Sequence, residues 1–321
     1  MSQSEQIKEI TEKLQQGIED LFDSDNYKNY LKTMSRFHSY SLNNTLLIAM
    51  QKPEATTVAG YNTWKQLNRQ VVKGAKAIKI LAPCIYKKKD IADIADAPGK
   101  SIADKDNKDI SESEKVLVGF KIVNVFDYSQ TEGEPLPEIT HKLEGNVDEY
   151  TDFIEALKQF SPVPIEFKAI DGSANGYYHL VDKNIVVDNG MSQMMNIKTT
   201  IHEISHALLH DKDSGIEKDN SPDKQTKEVQ AESVAFTVCQ YYGIDSSDYS
   251  FGYIGGWSSG KDLKELKASL ETIRQTSQTI ITGIDQKLDA IRQSRQLDLN
   301  ISIPKDNISI SKPAHKMSIS H

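Results

Sequence analysis

The spacing of apolar residues changes along the chain from helical to strand-like and back to helical. Apolar side chains recur every three or four positions over residues 4–22 and over residues 26–51, which predicts two amphipathic helical stretches. The second stretch is interrupted by serines around 39–41, where we expect a break, and Pro53 ends it. The chain therefore opens with helices that need a partner surface to cover their apolar faces.

A strand-type pattern follows these helices. After a short helix near 63–67, residues 77–86 and 115–127 are rich in β-branched and aromatic side chains, and we expect them to pair with each other. The intervening residues 90–114 are polar and acidic without useful periodicity. They predict a disordered insertion.

The second half repeats the alternation of strands and helices. The pattern predicts a helix at 147–160 and two strands within 165–170 and 177–188, the second containing a turn at 182–184. Four further helices are predicted at 192–210, 226–244, 248–258 and 261–290. This order favours an α+β chain with two domains. Their predicted limits, with a linker and a disordered tail, are 1–130, 131–146, 147–292 and 293–321.

Composition adds a strong charge asymmetry to this division. Residues 26–89 contain twelve Lys and Arg against one acid, a net charge of +11, whereas the remainder of the chain carries −19. Such a contrast indicates two different partners. The sequence has neither an apolar run of the roughly 18–20 residues that span a bilayer nor a signal-peptide pattern. With only two, widely separated cysteines, it predicts a cytoplasmic protein without a membrane partner.

The candidate chemistry lies in the segment TTIHEISHALLHD (199–211). His202 and His206 are four positions apart, so on a helix both imidazoles point to the same side and can bind one ion. Glu203 lies beside them, where it can take a proton from a zinc-activated water; this is the physical content of the HExxH pattern. The alternative is a half-exposed helix with solvated histidines.

A catalytic zinc ion needs a third protein ligand. His210 is two turns from His202, about 12 Å along the helix axis, and is better placed to face the negative end of its helix. Glu228 and Glu232, four apart on the next helix, are better candidates, one as ligand and the other as a hydrogen-bond acceptor for a ligand histidine. A solvated acidic stripe is the alternative, although the apolar neighbours of both residues argue against it.

HEISHALLH followed by E-x-x-A-E resembles the zincin-like metallopeptidases, specifically the ImmA/IrrE-type and ArdC-type branch. The resemblance implies that Glu228 is the third zinc ligand and Glu232 the supporting acid, although spacing alone leaves the reverse order open. It also implies that the two strands ending in IVVD supply the edge strand on which a substrate peptide could lie.

The basic stretch interleaves its positive charges with tyrosines, phenylalanines and a tryptophan. Cations that follow phosphates, together with aromatic rings that stack on bases, are how proteins hold single-stranded nucleic acid without sequence preference. The alternative is a cationic surface over an aromatic core.

The blocks SLNNTLLIAM, GYNTWKQLNRQVVKGAKAIKILAPC and GFKIVNVFDYSQTEG resemble the N-terminal domain of ArdC-type antirestriction proteins and their LtrC-like relatives. That resemblance implies binding of single-stranded DNA. The candidate phosphate contacts are Arg36, Lys65, Arg69, Lys73 and Lys76, and the candidate stacking residues are Tyr61 and Trp64. Trp64 has an equal rival role as the core anchor of its short helix.

Together these features predict an α/β N-terminal module that binds single-stranded DNA, followed by a zincin-like metallopeptidase domain that holds Zn²⁺. The implied biology is antirestriction on a plasmid, conjugative element or phage, with an unidentified protein as substrate or partner. Two alternatives are a non-catalytic DNA-binding protein that uses the zincin domain as a scaffold, and a regulatory protease that cleaves a repressor.

Overall fold

The computed structural model describes residues 3–87, 115–136, 147–211, 222–246 and 249–302. The predicted insertion at 90–114 lies outside these residues, as do most of the predicted linker and residues 303–321 of the predicted tail.

Three helices open the chain. They are α1 (Gln3–Glu19, continued by one 3₁₀ turn), α2 (Ser24–Arg36) and α3 (Leu42–Gln51). Asp23 caps α2 by accepting from the backbone of Asp25 at 3.1 Å, and Ser41 caps α3. The predicted break around 39–41 is thus confirmed: α2 ends before it, and Ser41 begins the next helix because its hydroxyl satisfies a free N–H group.

Two small sheets follow. The elements are β1 (Val58–Gly60), α4 (Tyr61–Gln66), β2 (Arg69–Val71), β3 (Ile78–Lys87), β4 (Lys115–Asp127) and β5 (Thr131–Gly133). The predicted pairing of the two long strands is confirmed, since β3 and β4 are antiparallel from Ile78 opposite Val125 to Lys87 opposite Lys115. β1 pairs with the other edge of β4, and β2 pairs with β5.

The predicted linker is wrong at its start, because residues 131–133 are the strand β5. A side chain at Gly133, whose φ is +137°, would place its Cβ 2.3 Å from the carbonyl oxygen of Asn68. Only glycine therefore allows β2 and β5 to approach this closely.

The second half contains α5 (Val147–Phe160), β6 (Ile165–Lys168), β7 (Gly176–His179), β8 (Asn184–Asp188), α6 (Gln193–Leu209), α7 (Lys224–Tyr241), α8 (Ile254–Ser258) and α9 (Leu263–Ser302). The strands lie in the order β6-β8-β7, with β6 parallel and β7 antiparallel to β8. α8 is shorter than predicted. α9 continues through Ser302, past residue 292, where the pattern predicts a disordered tail.

The larger hydrophobic core joins the two halves. Buried side chains of α1, α2 and α3 pack in one cluster with those of α5, α6, α7 and α9. A buried hydrogen bond of 2.8 Å links the hydroxyl groups of Tyr27 on α2 and Ser233 on α7. A smaller cluster lies under the β3–β4 sheet. The core does not divide at 131–146, and the predicted division into 1–130 and 147–292 stays a prediction.

No helix in the described part of the chain is both long enough and apolar enough to cross a membrane.

Candidate metal centre

Local sequence places two histidines on one face of α6. The hydroxyl of Ser192 accepts from the backbone N–H of Met195 and begins the helix. Ile197, Ile201 and Ile204 are fully or nearly fully buried, so α6 is anchored by its apolar face. His202 and His206 lie half-buried, with their Nε2 atoms 3.0 Å apart.

Glu228 of α7 completes a three-residue cluster with these histidines. Its Oε2 atom lies 3.7 Å from Nε2 of His202 and 3.6 Å from Nε2 of His206. Two ligands of a tetrahedral zinc ion, each at roughly 2.0–2.1 Å from the metal, are about 3.3 Å apart. The three observed separations of 3.0 to 3.7 Å lie on either side of that value, and imidazole and carboxylate are ligands that zinc accepts. The donor set therefore fits a zinc ion.

Glu232 contacts the other side of the first histidine. Its Oε2 lies 3.3 Å from Nδ1 of His202 and belongs to no three-residue ligand cluster among the described residues. A carboxylate can only accept, so Nδ1 of His202 donates to Glu232; in the neutral ring that a metal requires, the Nε2 lone pair then faces Glu228. The two acids thus occupy different positions around one imidazole.

Glu203 is buried beside this cluster, with 7% of its surface exposed. Its carboxylate accepts a hydrogen bond from the backbone N–H of Tyr178 on β7. Burial raises the pKa of Glu203 above its usual value, against the opposing effect of the two histidines. A carboxyl group with a raised pKa is suited to accept and return a proton.

Electrostatics couple the imidazoles to the acids. Burial opposes the charged form of His202, but its contacts with Glu228 and Glu232 outweigh that effect and raise its pKa to about 9. The same contacts, with His202 and His206, hold the pKa of Glu228 well below its usual range. The site is therefore built to keep Glu228 ionised, as a metal ligand must be.

His210 ends α6 and does not join the ligand cluster, in line with the interpretation from its spacing. Its Nδ1 lies 3.0 Å from Nδ1 of His206, and its Nε2 lies 3.1 Å from Oε1 of Gln230. Burial lowers its pKa to about 4, so the ring is neutral near pH 7. Sequence reasoning missed Gln230, since no motif marks it.

A cleft crosses the site on both sides of Glu203. One cavity, of about 330 Å³, is lined by Lys198, Thr199 and Tyr249, and the other, of about 540 Å³, by Tyr177, Lys224 and Lys227; both also include Gly176, His202 and Glu203. Sequence reasoning did not single out the buried Lys198.

The strand beside the cleft is β7. A side chain on Gly176 would place its Cβ 2.6 Å from Thr199 and 3.5 Å from the Cγ of Glu203, so glycine allows β7 to lie against α6. The two predicted strands do supply the edges of this sheet, β6 and β7, although the IVVD segment that ends them is not itself at an edge. That segment is β8, which lies between β6 and β7, because β6 pairs in parallel on its other side.

Two of the predicted DNA contacts are buried instead. Trp64 is completely buried, and its indole N–H donates to the carbonyl of Phe126 at 2.9 Å, so its role here is that of core anchor. Arg69 is 6% exposed and donates to the hydroxyl and carbonyl of Thr131 and to the carbonyl of Gly133. Its guanidinium joins β2 to β5, and the structure contradicts a phosphate contact.

The other five candidates, Arg36, Tyr61, Lys65, Lys73 and Lys76, have exposed side chains. Lys65 and Lys73 line one open groove, of about 770 Å³, along β2 and β5. The guanidinium of Arg36 also donates to the carbonyl of Pro53. Their contacts with DNA stay predictions.

The HExxH helix, its acidic partner helix and the strand beside them have the arrangement of a zincin-like fold, within an α+β chain of two domains. Residues 3–126 match the family described as the N-terminal domain of anti-restriction factor ArdC. Residues 162–240 match the IrrE N-terminal-like domain of the M78 peptidases. The chain therefore joins a segment of the ArdC N-terminal domain family to a segment of the IrrE-like M78 family.

The chain is also similar to individual proteins. It is 27% identical over 320 residues to the uncharacterized protein pXO2-81 of Bacillus anthracis, a match that covers 91% of this chain. The chain spans about half (53%) of that protein's length. Crystal structures of the antirestriction ArdC protein from plasmid R388, metal-free and Mn(II)-bound, superpose with a TM-score of 0.46 at 18% identity. The metal-free match covers 79% of this chain and 86% of the R388 protein, the Mn(II)-bound match 78% and 85%.

Proposed function

We propose that this protein is an antirestriction-type factor of a mobile genetic element that binds single-stranded DNA and acts as a zinc-dependent metallopeptidase. The observation that carries the enzymatic part is the convergence of His202, His206 and Glu228 beside the buried carboxylate of Glu203. The match of residues 3–126 to the ArdC N-terminal domain family supports the biological part.

Each residue of the site has a distinct role in this proposal. His202, His206 and Glu228 hold the zinc ion, and Glu232 keeps the proton of His202 on Nδ1. Bound zinc supplies Lewis acidity, which makes water nucleophilic near neutral pH. Glu203 takes the proton of the attacking water and returns it to the nitrogen of the leaving amine. Its raised pKa favours the first transfer, and the higher basicity of the amine nitrogen favours the second.

The substrate is proposed to be an extended peptide added to the free edge of β7. β7 is one edge of the three-stranded sheet, and the cleft beside it extends past Glu203 in both directions. Strand addition supplies affinity through main-chain hydrogen bonds. The hydroxyl of Tyr178 donates to Asp211 at 2.6 Å, which fixes β7 to the residue after α6 and His210.

Single-stranded DNA is proposed to follow the groove that runs along β2 and β5. Lys65 and Lys73 line this groove, and Tyr61, 52% exposed, lies on the same short helix as Lys65. Lysines contact phosphates and an exposed ring can stack on a base. In this arrangement the buried side chains of Arg69 and Trp64 hold β2 and α4 in place beneath the groove and do not contact the DNA.

Metal content tests the proposed centre. We expect about one zinc ion per chain in the purified wild type, loss of zinc in His202→Ala and Glu228→Ala, and retention in Glu232→Ala with weaker affinity. Elemental analysis after dialysis against a weak chelator measures this. Loss in Glu232→Ala with retention in Glu228→Ala would reverse the two acids, and a wild type that binds no zinc would refute the metal centre.

A further inference from the structure

A continuous line of side chains runs from His206 into the protein interior. His206 Nδ1 contacts His210 Nδ1 at 3.0 Å, His210 Nε2 contacts Gln230 Oε1 at 3.1 Å, and Gln230 Nε2 donates to Ser269 Oγ at 2.9 Å. Gln230 and Ser269 are each only 5% exposed. The line connects α6, α7 and α9, and the proposed zinc chemistry does not use three of its four members.

The direction of the hydrogen bonds along this line decides whether His206 can bind a metal. An amide oxygen only accepts, so His210 must carry a proton on Nε2 to bond Gln230. A neutral His210 then has a bare Nδ1, which accepts from Nδ1–H of His206. His206 in that tautomer presents its Nε2 lone pair to Glu228 and His202.

If these hydrogen bonds ran in the opposite direction, His206 could not bind a metal through Nε2. If the amide of Gln230 were turned, its NH₂ group would donate to Nε2 of His210, and His210 Nδ1–H would donate to His206. His206 would then carry its proton on Nε2, aimed at Nε2 of His202, 3.0 Å away, where a metal-binding lone pair is needed. A protonated His210 has the same consequence, since both of its nitrogens donate.

We propose that His210, Gln230 and Ser269 are positioning residues that hold His206 in its metal-binding tautomer. The inference depends on the proposed metal centre and extends it. The two ligand histidines are thus held by different means. The carboxylate of Glu232 acts on His202, and the neutral hydrogen-bonded series His210, Gln230 and Ser269, here called the relay, acts on His206. The relay fixes His206 without adding another negative charge to a site that already contains Glu203, Glu228 and Glu232.

The relay is tested at Gln230. Gln230→Leu keeps the approximate volume but removes the acceptor, and we expect zinc affinity to fall about 10–100-fold, the usual cost of losing a partner behind a ligand. Gln230→Glu restores an acceptor and is expected to bind zinc within a few-fold of the wild type. Competition with a chromophoric chelator measures both affinities.

A matched control exists on the same helix. Gln240 of α7 also donates to a serine hydroxyl, that of Ser246, and none of the hydrogen bonds among the described residues joins it to a histidine. Gln240→Leu is expected to leave zinc affinity unchanged. Unfolding curves of the zinc-free proteins show whether each variant is folded.

The tautomers are also measured directly. In ¹⁵N-histidine spectra of the zinc-loaded wild type, we expect His210 to be neutral with its proton on Nε2. A proton on Nδ1 of His210, or a zinc affinity of Gln230→Leu within twofold of the wild type, would overturn the relay while the metal centre stood. A wild type without zinc affinity would refute the metal centre, and the relay with it.

Discussion

The metal centre and the basic module were both predicted from residue types, but they differ in how those residues are arranged in space. In the metal centre, His202, His206 and Glu228 meet within 4.8 Å, as two helical i,i+4 pairs on neighbouring helices predict. In the basic module, Arg69 and Trp64 turn inward while Lys65 and Lys73 face solvent. A fixed spacing on a regular helix specifies direction, whereas an excess of positive charge specifies no direction for any one side chain.

The two regions also differ in what their buried polar groups do. In the metal centre, the buried carboxylate of Glu203 and the half-buried imidazoles face a cleft, and the carboxylate of Glu228, whose side chain is 53% exposed, contacts both imidazoles. In the basic module, the buried guanidinium of Arg69 and the buried carboxylate of Asp127 are hydrogen-bonded to backbone groups. The polar side chains of the metal centre are therefore available to an ion or a substrate, whereas the buried polar side chains of the basic module hold loops and strands together.

The largest expected effect separates catalysis from scaffolding. Glu203→Gln removes the proton acceptor but no metal ligand, so we expect peptide hydrolysis to fall about 10²–10⁴-fold with zinc content unchanged. A fluorogenic peptide library measures the rate, and Glu155→Gln, an exposed acid on α5, is the control. If the Glu203→Gln variant still fully protects DNA from restriction, then protection needs no proteolysis, and the alternative of a non-catalytic scaffold is favoured.

The next effect tests the inward-facing tryptophan. Trp64→Ala leaves a cavity and an unpaired carbonyl at Phe126, so we expect the free energy of unfolding to fall by about 3–5 kcal/mol. Tyr61→Ala, on the same short helix, should change stability by less than about 0.5 kcal/mol and weaken binding of an oligonucleotide instead. Urea unfolding and fluorescence anisotropy measure the two effects. A stable Trp64→Ala variant that no longer binds DNA would show that Trp64 is a DNA-stacking residue and not a core anchor.

A smaller effect depends on pH. Burial raises the pKa of Asp127, but hydrogen bonds from Ser129, Thr56 and Thr57 outweigh it and bring the pKa below its usual value. Stability from these bonds is therefore fully present above the unfolded pKa of roughly 3.9 and is lost as pH falls through the lower folded pKa. We expect Asp127→Asn to cost about 1.5–3 kcal/mol at pH 7 and progressively less below pH 4. A difference that stays constant from pH 7 down to pH 3 would contradict this account.

The smallest effect concerns the outward-facing cations. Each of Lys65→Gln and Lys73→Gln should reduce the slope of log affinity for single-stranded DNA against log salt by about 0.7, the value for one lost phosphate contact. Lys264→Gln, an exposed lysine on α9, should leave the slope unchanged. Equal effects at all three positions would mean that the groove of β2 and β5 has no special part in binding.

Much of the fold follows from local patterns. Periodicity placed α5, β4 and the pairing of β3 with β4, and the break between α2 and α3 follows from one capping serine. These elements were predictable because hydrophobic period and capping chemistry act over a few neighbouring residues. The identity of β7 as the edge strand was not, since strand order depends on contacts between distant segments.

The sequence by itself determined the chemistry of the centre, because two i,i+4 pairs on helices bring imidazoles and carboxylates to common faces whatever surrounds them. Only the tertiary structure decided which acid faces both imidazoles, which cations point outward, and that Gln230 and Ser269 lie behind His206. Those outcomes depend on how α6, α7 and α9 pack against one another. Packing of separate elements is a property of the whole core, and no local spacing encodes it.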